Sequence, residues 1–335
     1  MRVGSSRRVM ALLVVVAALV PWMVPGPAGG QAAESPGRVV RIPFPRDDGT
    51  LTPYTFQLGY PLVNLVYDTL LWRDTEGVPR PWLAQALETS PDATRFTLRL
   101  TPDVRWHDGA PLTAEDVRFT FGYVASRPHP RFTAGVAEVA EVTTPDPATV
   151  VITTRRPAPG LVDQTLADLP IMPAHLWQNL PTGQTEPAGL AVGSGPYRLV
   201  ERLDGGGYRF EANAAYFKGA PTVGQIVVPI ISDLDATLDA FGNRTIDMIP
   251  LRLPPDEVRN VDRLVAKVAR GPSYWGVQLV FNLRRAPFDD PEARRAVALA
   301  IDLGRLAQNV SDAVPADEGM LHPESAWAPG RSLKA

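Results

Sequence analysis

The residues best suited to acid–base or metal chemistry in this chain are few and scattered. Its four histidines are His107, His129, His175 and His322, and no two stand at a metal-ligand spacing such as H-E-x-x-H. His107 adjoins Asp108, a pair able in principle to move a proton. No second partner is identifiable nearby, so the expectation is a water-exposed turn histidine. Gly193-Ser194-Gly195 approaches a nucleophile elbow but misses G-x-S-x-G, and Pro196 forbids the helix that should follow; a structural turn is expected. Gly205-Gly206-Gly207 could cradle phosphate only at a helix start, and here it joins two strand-like segments as a hairpin turn. The sequence has no cysteine, which removes disulfides, thiolate catalysis and Cys-ligated metal sites. These residues offer no catalytic constellation, no metal set and no cofactor site. They favour a binding protein over an enzyme.

The elements carrying these residues are locally well marked. Phe96, Leu98 and Leu100 alternate with Thr97 and Arg99, the period of a half-buried strand, and Val104 and Trp106 continue it. Asp108-Gly109 is a turn pair. Thr113 precedes Asp116 by three residues as a helix start, and Val117, Phe121 and Val124 form one apolar face. Further strands are expected at Val39–Ile42, Ala148–Ile152, Tyr197–Leu199, Tyr208–Ala212, Ile226–Ile230 and Val277–Phe281. Helices are expected over Val63–Trp72, after Asp233, after Asp290-Pro291 and after Asp302. The segment PRPWLAQALETSPD reads as a loop, and Ile246–Leu251 as a strand closing a β-α-β unit with part of the sheet parallel.

Composition narrows the class. The chain has 335 residues, a prior of about two domains, and a formal net charge of −3 without a Lys/Arg block, which argues against nucleic acid as partner. Prolines number 35 and many stand at junctions such as Pro157-Ala158-Pro159. Arg2, Arg7 and Arg8 precede an apolar run, Val9–Val20, and small residues surround Ala32 and Ala33. This reads as a secretory signal over residues 1–33, leaving no membrane span once cleaved; an uncleaved anchor is the alternative. No cysteine stands at the cleavage zone for lipid attachment.

The stretch LRLTPDVRWHDGAPLTAEDVRFTFGYV resembles the recurring segment of family 5 extracellular solute-binding proteins, the peptide/nickel-type receptors of bacterial ABC importers. The matching positions are Val104, Trp106, His107, Asp108, Gly109, Pro111, Leu112, Thr113, Ala114, Asp116, Val117, Phe119 and Thr120. LVYDTLLWRDTEGVPRPWLAQALE, VGSGPYRLVE, NAAYFKGAPTVGQIVV, AFGNRTIDMIP and LVFNLRRAPFDDPEARRAVALAID resemble other family segments in the same order, with Gly224 where an acidic residue is commoner.

The resemblance implies an α/β, periplasmic-binding-protein-like two-lobe fold of type II with an extra domain. Residues 34–65 and 170–270 would form lobe I, 66–169 the appended α/β domain, and 271–335 the start of a lobe II left incomplete by truncation. It implies non-covalent capture of peptides or similar small solutes, delivery to ABC permease subunits, no enzyme activity, no cofactor, and a periplasmic or extracellular location. A ligand-sensing domain of the same fold is the alternative. Ligand contacts are expected from Phe56, Gln57, Leu58 and Gly59 in the cleft-facing irregular segment, and from Tyr274 and Trp275 at the crossover to lobe II. No counterpart of the aspartate that pairs with a peptide amino terminus is identifiable. The truncation implies weak binding and marginal stability for the isolated chain.

Overall fold

The computed structural model of the protein describes residues 37–180, 186–250 and 279–308, together with 253, 257, 261 and 266–268. In chain order the elements are β1 (Val39–Arg41), α1 (Tyr60–Val66), β2 (Leu71–Arg73), β3 (Pro79–Pro81), β4 (Ala84–Thr89) and β5 (Arg95–Leu100). Then come α2 (Ala114–Ser126), α3 (Thr133–Val136), β6 (Val139–Asp146), β7 (Thr149–Thr154), a single π-type turn at Val162–Leu166, and α4 (Ala174–Trp177). β8 (Tyr197–Arg202), β9 (Tyr208–Ala212), β10 (Gln225–Val228), α5 (Leu234–Gly242), α6 (Pro291–Ala300) and α7 (Leu303–Gln308) complete the described chain.

The strands divide between two four-stranded sheets and a small hairpin. One sheet has the order β4-β5-β7-β6 and is antiparallel throughout, with Leu98 opposite Val150 and Phe96 opposite Ile152. Phe96, Leu98 and Leu100 turn inward as their alternation requires. They pack with Trp106, Val117, Phe121 and Val124, so α2 covers this sheet. The helix starts as a capping box, with Thr113 donating its backbone N–H to Asp116 Oδ2 at 2.8 Å. The other sheet has the order β1-β10-β9-β8, and a second core forms on it from Leu51, Val63, Tyr208, Phe210 and Val228. β1 runs parallel to β10, and the remaining pairs are antiparallel.

Four local expectations are corrected. The helix predicted over Val63–Trp72 ends at Val66, and Tyr67 is already extended. Releasing the chain there lets Thr69 bridge to Pro170 and carries Asp68 into the interior. The segment expected to be a loop supplies β3 and β4; β4 shows mostly exposed side chains and a register shift between Ala84 and Ala86, which hides its period. Residues 246–250 form no strand. β10 already has β1 and β9 beside it, so a returning strand could not pair with it and would need a free edge of the sheet, such as β1. There a single clasp suffices: Asp247 donates its N–H to Arg41 O at 2.9 Å and accepts the Arg41 N–H on Oδ2 at 2.7 Å. Of the strand expected over Val277–Phe281, Val277 and Gln278 lie outside the described residues; Leu279–Phe281 is in no strand, no described strand runs beside it, and Leu279 and Val280 are exposed. The caps at Asp233, Asp290 and Asp302 do form, each aspartate accepting a backbone N–H of the first turn.

Asp68 joins the two cores. It is 4% exposed. Tyr216 Oη–H and Trp82 Nε1–H donate to its Oδ1 at 2.7 and 2.9 Å, and Ser194 Oγ–H donates to Oδ2 at 2.8 Å. Its carbonyl accepts the Ile171 N–H at 2.9 Å. Burial pushes the carboxyl above the usual carboxylate range, while the donors and Lys218 oppose that rise. Replacing Asp68 by Ala leaves Trp82, Ser194 and Tyr216 without their acceptor, a loss of about 3 kcal/mol at roughly 1 kcal/mol per bond. Thermal and urea unfolding should register the drop, with a smaller loss for Asp68→Asn, which keeps one acceptor oxygen.

Candidate ligand-binding site

The irregular segment between β1 and α1 is rigidly built. Asp48, itself buried, gathers the backbone N–H groups of Gln57 and Leu58 on Oδ2 at 2.8 and 2.7 Å, and that of Gly59 on the same oxygen. Arg46 Nε lies 3.1 Å from Oδ1 as an ion pair, off the direction a hydrogen bond requires. Asp48 also donates its own N–H to Tyr208 Oη at 2.7 Å, and Tyr208 donates its phenolic proton to Asp47 Oδ1 at 2.7 Å. The segment is thereby tied to β9. Position 59 must be glycine, because a Cβ there would stand 2.8 Å from Asp48 Oδ2. Pro61 then opens α1 in a position where no backbone N–H is needed.

This nest of amides presents a rim. Gln57 is exposed and Leu58 is 57% exposed, while Phe56 is half-buried and touches both cores. Phe56 heads an aromatic cluster, with ring centroids 5.3 Å from Tyr60, 5.4 Å from His129 and 6.1 Å from Phe132. Arg131 lies 3.9 Å over the Tyr60 ring and forks onto Asp168 at 2.7 and 2.9 Å, which holds the cluster's outer side. Burial, then the charge of Arg131, lower the pKa of His129, whose Nδ1 accepts the Arg131 N–H at 3.1 Å. Thr50 and Thr52 donate their hydroxyls to Glu186 at 2.8 and 3.2 Å beside this rim.

The residues that had suggested chemistry hold the fold instead. His107 is half-buried rather than exposed. Its N–H donates to Gly193 O at 2.8 Å, its Nδ1 accepts the Gly193 N–H at 3.3 Å, and its Nε2–H donates to Gly195 O at 3.0 Å. That set requires the neutral ring. Burial lowers its pKa to about 4, with the Gly195 carbonyl opposing. Ser194 spends its proton on Asp68, with no base aligned to activate it. Glycine is required on both sides of Ser194: a Cβ at Gly193 would lie 1.9 Å from Val66 O, and one at Gly195 would lie 2.6 Å from Leu65 O. Gly205-Gly206-Gly207 has φ of 82°, 88° and 101° and turns the β8–β9 hairpin, as expected.

Residues 78–334 match the model of the bacterial extracellular solute-binding proteins, family 5. The chain belongs to that family. A Brucella ovis protein described as a candidate ABC transporter peptide-binding protein is 28% identical over 233 residues, which are 68% of this chain and 44% of that protein. The solved ABC transporter substrate-binding protein CtaP of Listeria monocytogenes is 26% identical at a TM-score of 0.60, covering 68% of this chain and 47% of its own. The oligopeptide-binding protein AppA of Bacillus subtilis, solved with a nonapeptide, is 19% identical at a TM-score of 0.68, covering 81% and 55%. The chain thus spans about half the length of the relatives it matches. Its fold class is the periplasmic-binding-protein-like α/β fold of these structures.

In this family 5 protein the structure gathers Phe56, Gln57, Leu58 and Gly59 on the Asp48-held rim. Tyr274 and Trp275 lie outside the described residues. Sequence reading missed Asp48, Asp68 and Glu186. Only the excess of small polar residues and glycine in DDGTLTPYTFQLGYP hints that a side chain must satisfy its backbone. Among the described residues no cluster of metal-ligating side chains forms.

Replacing Asp48 by Ala should cost about 2 kcal/mol for its charge-assisted bonds. It should also speed amide exchange at Gln57, Leu58 and Gly59 by at least roughly tenfold, read by NMR while the β5–β7 amides stay protected. His107 has a folded pKa below its unfolded value of about 6.5. The unfolded chain therefore binds the proton first, and His107 contributes stability above pH 6.5 that is lost as pH falls towards 4, at most about 3 kcal/mol. NMR titration should show the ring uncharged down to pH 5, and the stability difference between wild type and His107→Asn should shrink over that window.

Proposed function

We propose that this chain captures peptides, or solutes with similar backbone chemistry, outside the cytoplasm and presents them to the permease subunits of an ABC importer. Capture is non-covalent, and the chain works as a carrier rather than an enzyme. The observation that carries this reading is the rim Phe56–Gly59, held by one buried carboxylate and standing beside an aromatic cluster. A rim whose amides are already satisfied does not rearrange on contact, so ligand binding orders little of the protein. Extended peptide can lie along such a segment, with Phe56 and Leu58 receiving apolar side chains and Gln57 meeting polar groups. The family membership and the nonapeptide bound to the AppA structure support the same ligand class.

The domain organisation proposed with this function places 34–65 and 170–270 in lobe I, 66–169 in an appended domain and 271–335 at the start of lobe II. The two separate cores, one centred on Phe96 and Ile152 and the other on Tyr208 and Phe210, support the first two divisions. Residues 1–33 act as a secretory signal cleaved near Ala32 or Ala33, and no helix among the described residues is long and apolar enough to cross a membrane. Tyr274 and Trp275 are proposed as further ligand contacts.

Calorimetric titration with a mixed set of short peptides tests the proposal directly. Binding weaker than micromolar is expected of this chain, with a Kd of about 1 mM, and it should weaken further in Phe56→Ala through lost aromatic contact. Absence of binding to every peptide, or binding indifferent to Phe56 and Leu58, would sink the assignment of this rim.

A further inference from the structure

Away from that rim, the β2–β3 hairpin exposes aromatic surface that the transport reading does not use. Trp72 is 44% exposed, although a soluble protein gains by covering an indole of that size. It stands opposite Arg80 across the hairpin. Strand alternation puts Trp72, Asp74, Arg80 and Trp82 on one face. The Trp72 and Trp82 rings stack with centroids 5.3 Å apart and planes 29° from parallel. Phe217 meets Trp82 edge-on at 6.3 Å, and Lys218 Nζ sits 4.9 Å over the Trp82 ring. Arg80 Nε and Asp74 Oδ2 pair at 2.6 Å beside the stack. None of this is loose: Trp82 is anchored through Nε1 to Asp68, and Asp74 also accepts the N–H groups of Glu76 and Val78 to hold the turn.

The chemistry of that face selects its occupant. Trp72 offers an aromatic surface with a negative face, which attracts polarised C–H groups and cations alike. A cation is already bound to the stack as Lys218, and the Asp74 carboxylate is taken up by Arg80, so the face offers no free anion to a further cationic group. Asp74 and Arg80 form an acceptor–donor pair on the same face of the hairpin, suited to neighbouring hydroxyls. A pyranose ring has both features: an apolar C–H face and a rim of equatorial hydroxyls without charge. We propose that the outer face of the β2–β3 hairpin is a binding site for a hexopyranose glycan, which stacks on Trp72 and hydrogen-bonds Asp74 and Arg80. The site is built from residues other than those of the Phe56–Gly59 rim, so a glycan and a peptide occupy the protein independently.

Titrating the full chain with chitohexaose and with cellohexaose, followed by calorimetry and by the Trp72 indole N–H in NMR, tests this. At least one oligomer should bind with a Kd of about 1 mM or tighter. Trp72→Ala should weaken it roughly tenfold or more, Arg80→Ala should weaken it less, and Trp72→Phe should restore part of the affinity. Melting temperature and peptide affinity should be unchanged in these variants, while Phe56→Ala should leave glycan binding intact. Co-sedimentation with insoluble cell-wall glycan distinguishes a wall-borne from a free ligand, and either result supports the site. Failure of both oligomers to bind, or binding that survives Trp72→Ala, overturns it. Retained peptide binding in that event would leave the transport reading standing.

Discussion

One buried carboxylate organises the described fold. Asp68 accepts hydrogen bonds from Trp82, Ser194 and Tyr216, residues that come from three separate stretches of chain. A carboxylate taken out of water is costly unless its lone pairs are filled, and each donor buried beside it is costly unless it has an acceptor. The four groups are therefore stable only together. That mutual requirement holds the β2–β3 hairpin, the glycine-flanked turn before β8 and the segment before β10 in one place. It also explains why α1 stops at Val66: a further helical turn would carry Asp68 away from its donors.

Around this junction, close backbone approach does what side chains cannot. Gly193 and Gly195 lie against the carbonyls of Leu65 and Val66, at distances no Cβ would permit, and His107 clasps the same two glycines from the other core. The imidazole serves as a neutral bracket with one donor and one acceptor, a role closed to a charged ring. Asp116 repeats the device, capping α2 through Thr113 while accepting the Ala174 N–H at 2.8 Å. The residues of the family-like segment WHDGAPLTAED thus serve assembly, and their recurrence together reflects one packed joint.

The rim is built on the same principle at smaller scale. Asp48 satisfies consecutive amides that no strand or helix pairs, which lets Phe56, Gln57 and Leu58 stand at the surface in a fixed conformation. On the proposed reading, such a support sets the backbone beforehand and leaves contact with ligand to the side chains.

Local order was legible in the residues themselves. The alternation at Phe96, Leu98 and Leu100, the box at Thr113 and Asp116, the caps at Asp233, Asp290 and Asp302, and the glycine turn of β8–β9 all depend on near neighbours in the chain. The shared pattern of motifs was enough to place the family. The sequence could not show that Val63–Trp72 breaks at Val66, that β4 is a strand, or that β10 pairs with β1 in place of a returning strand after α5. It also could not separate the bracket His107 from a solvent histidine, or show that Asp48 and Asp68 are buried hubs among many carboxylates. Caps, turns and periodicity are set by residues a few positions apart. The state of a histidine or an aspartate is set by which donors surround it, and those donors arrive from distant segments only when the chain has folded.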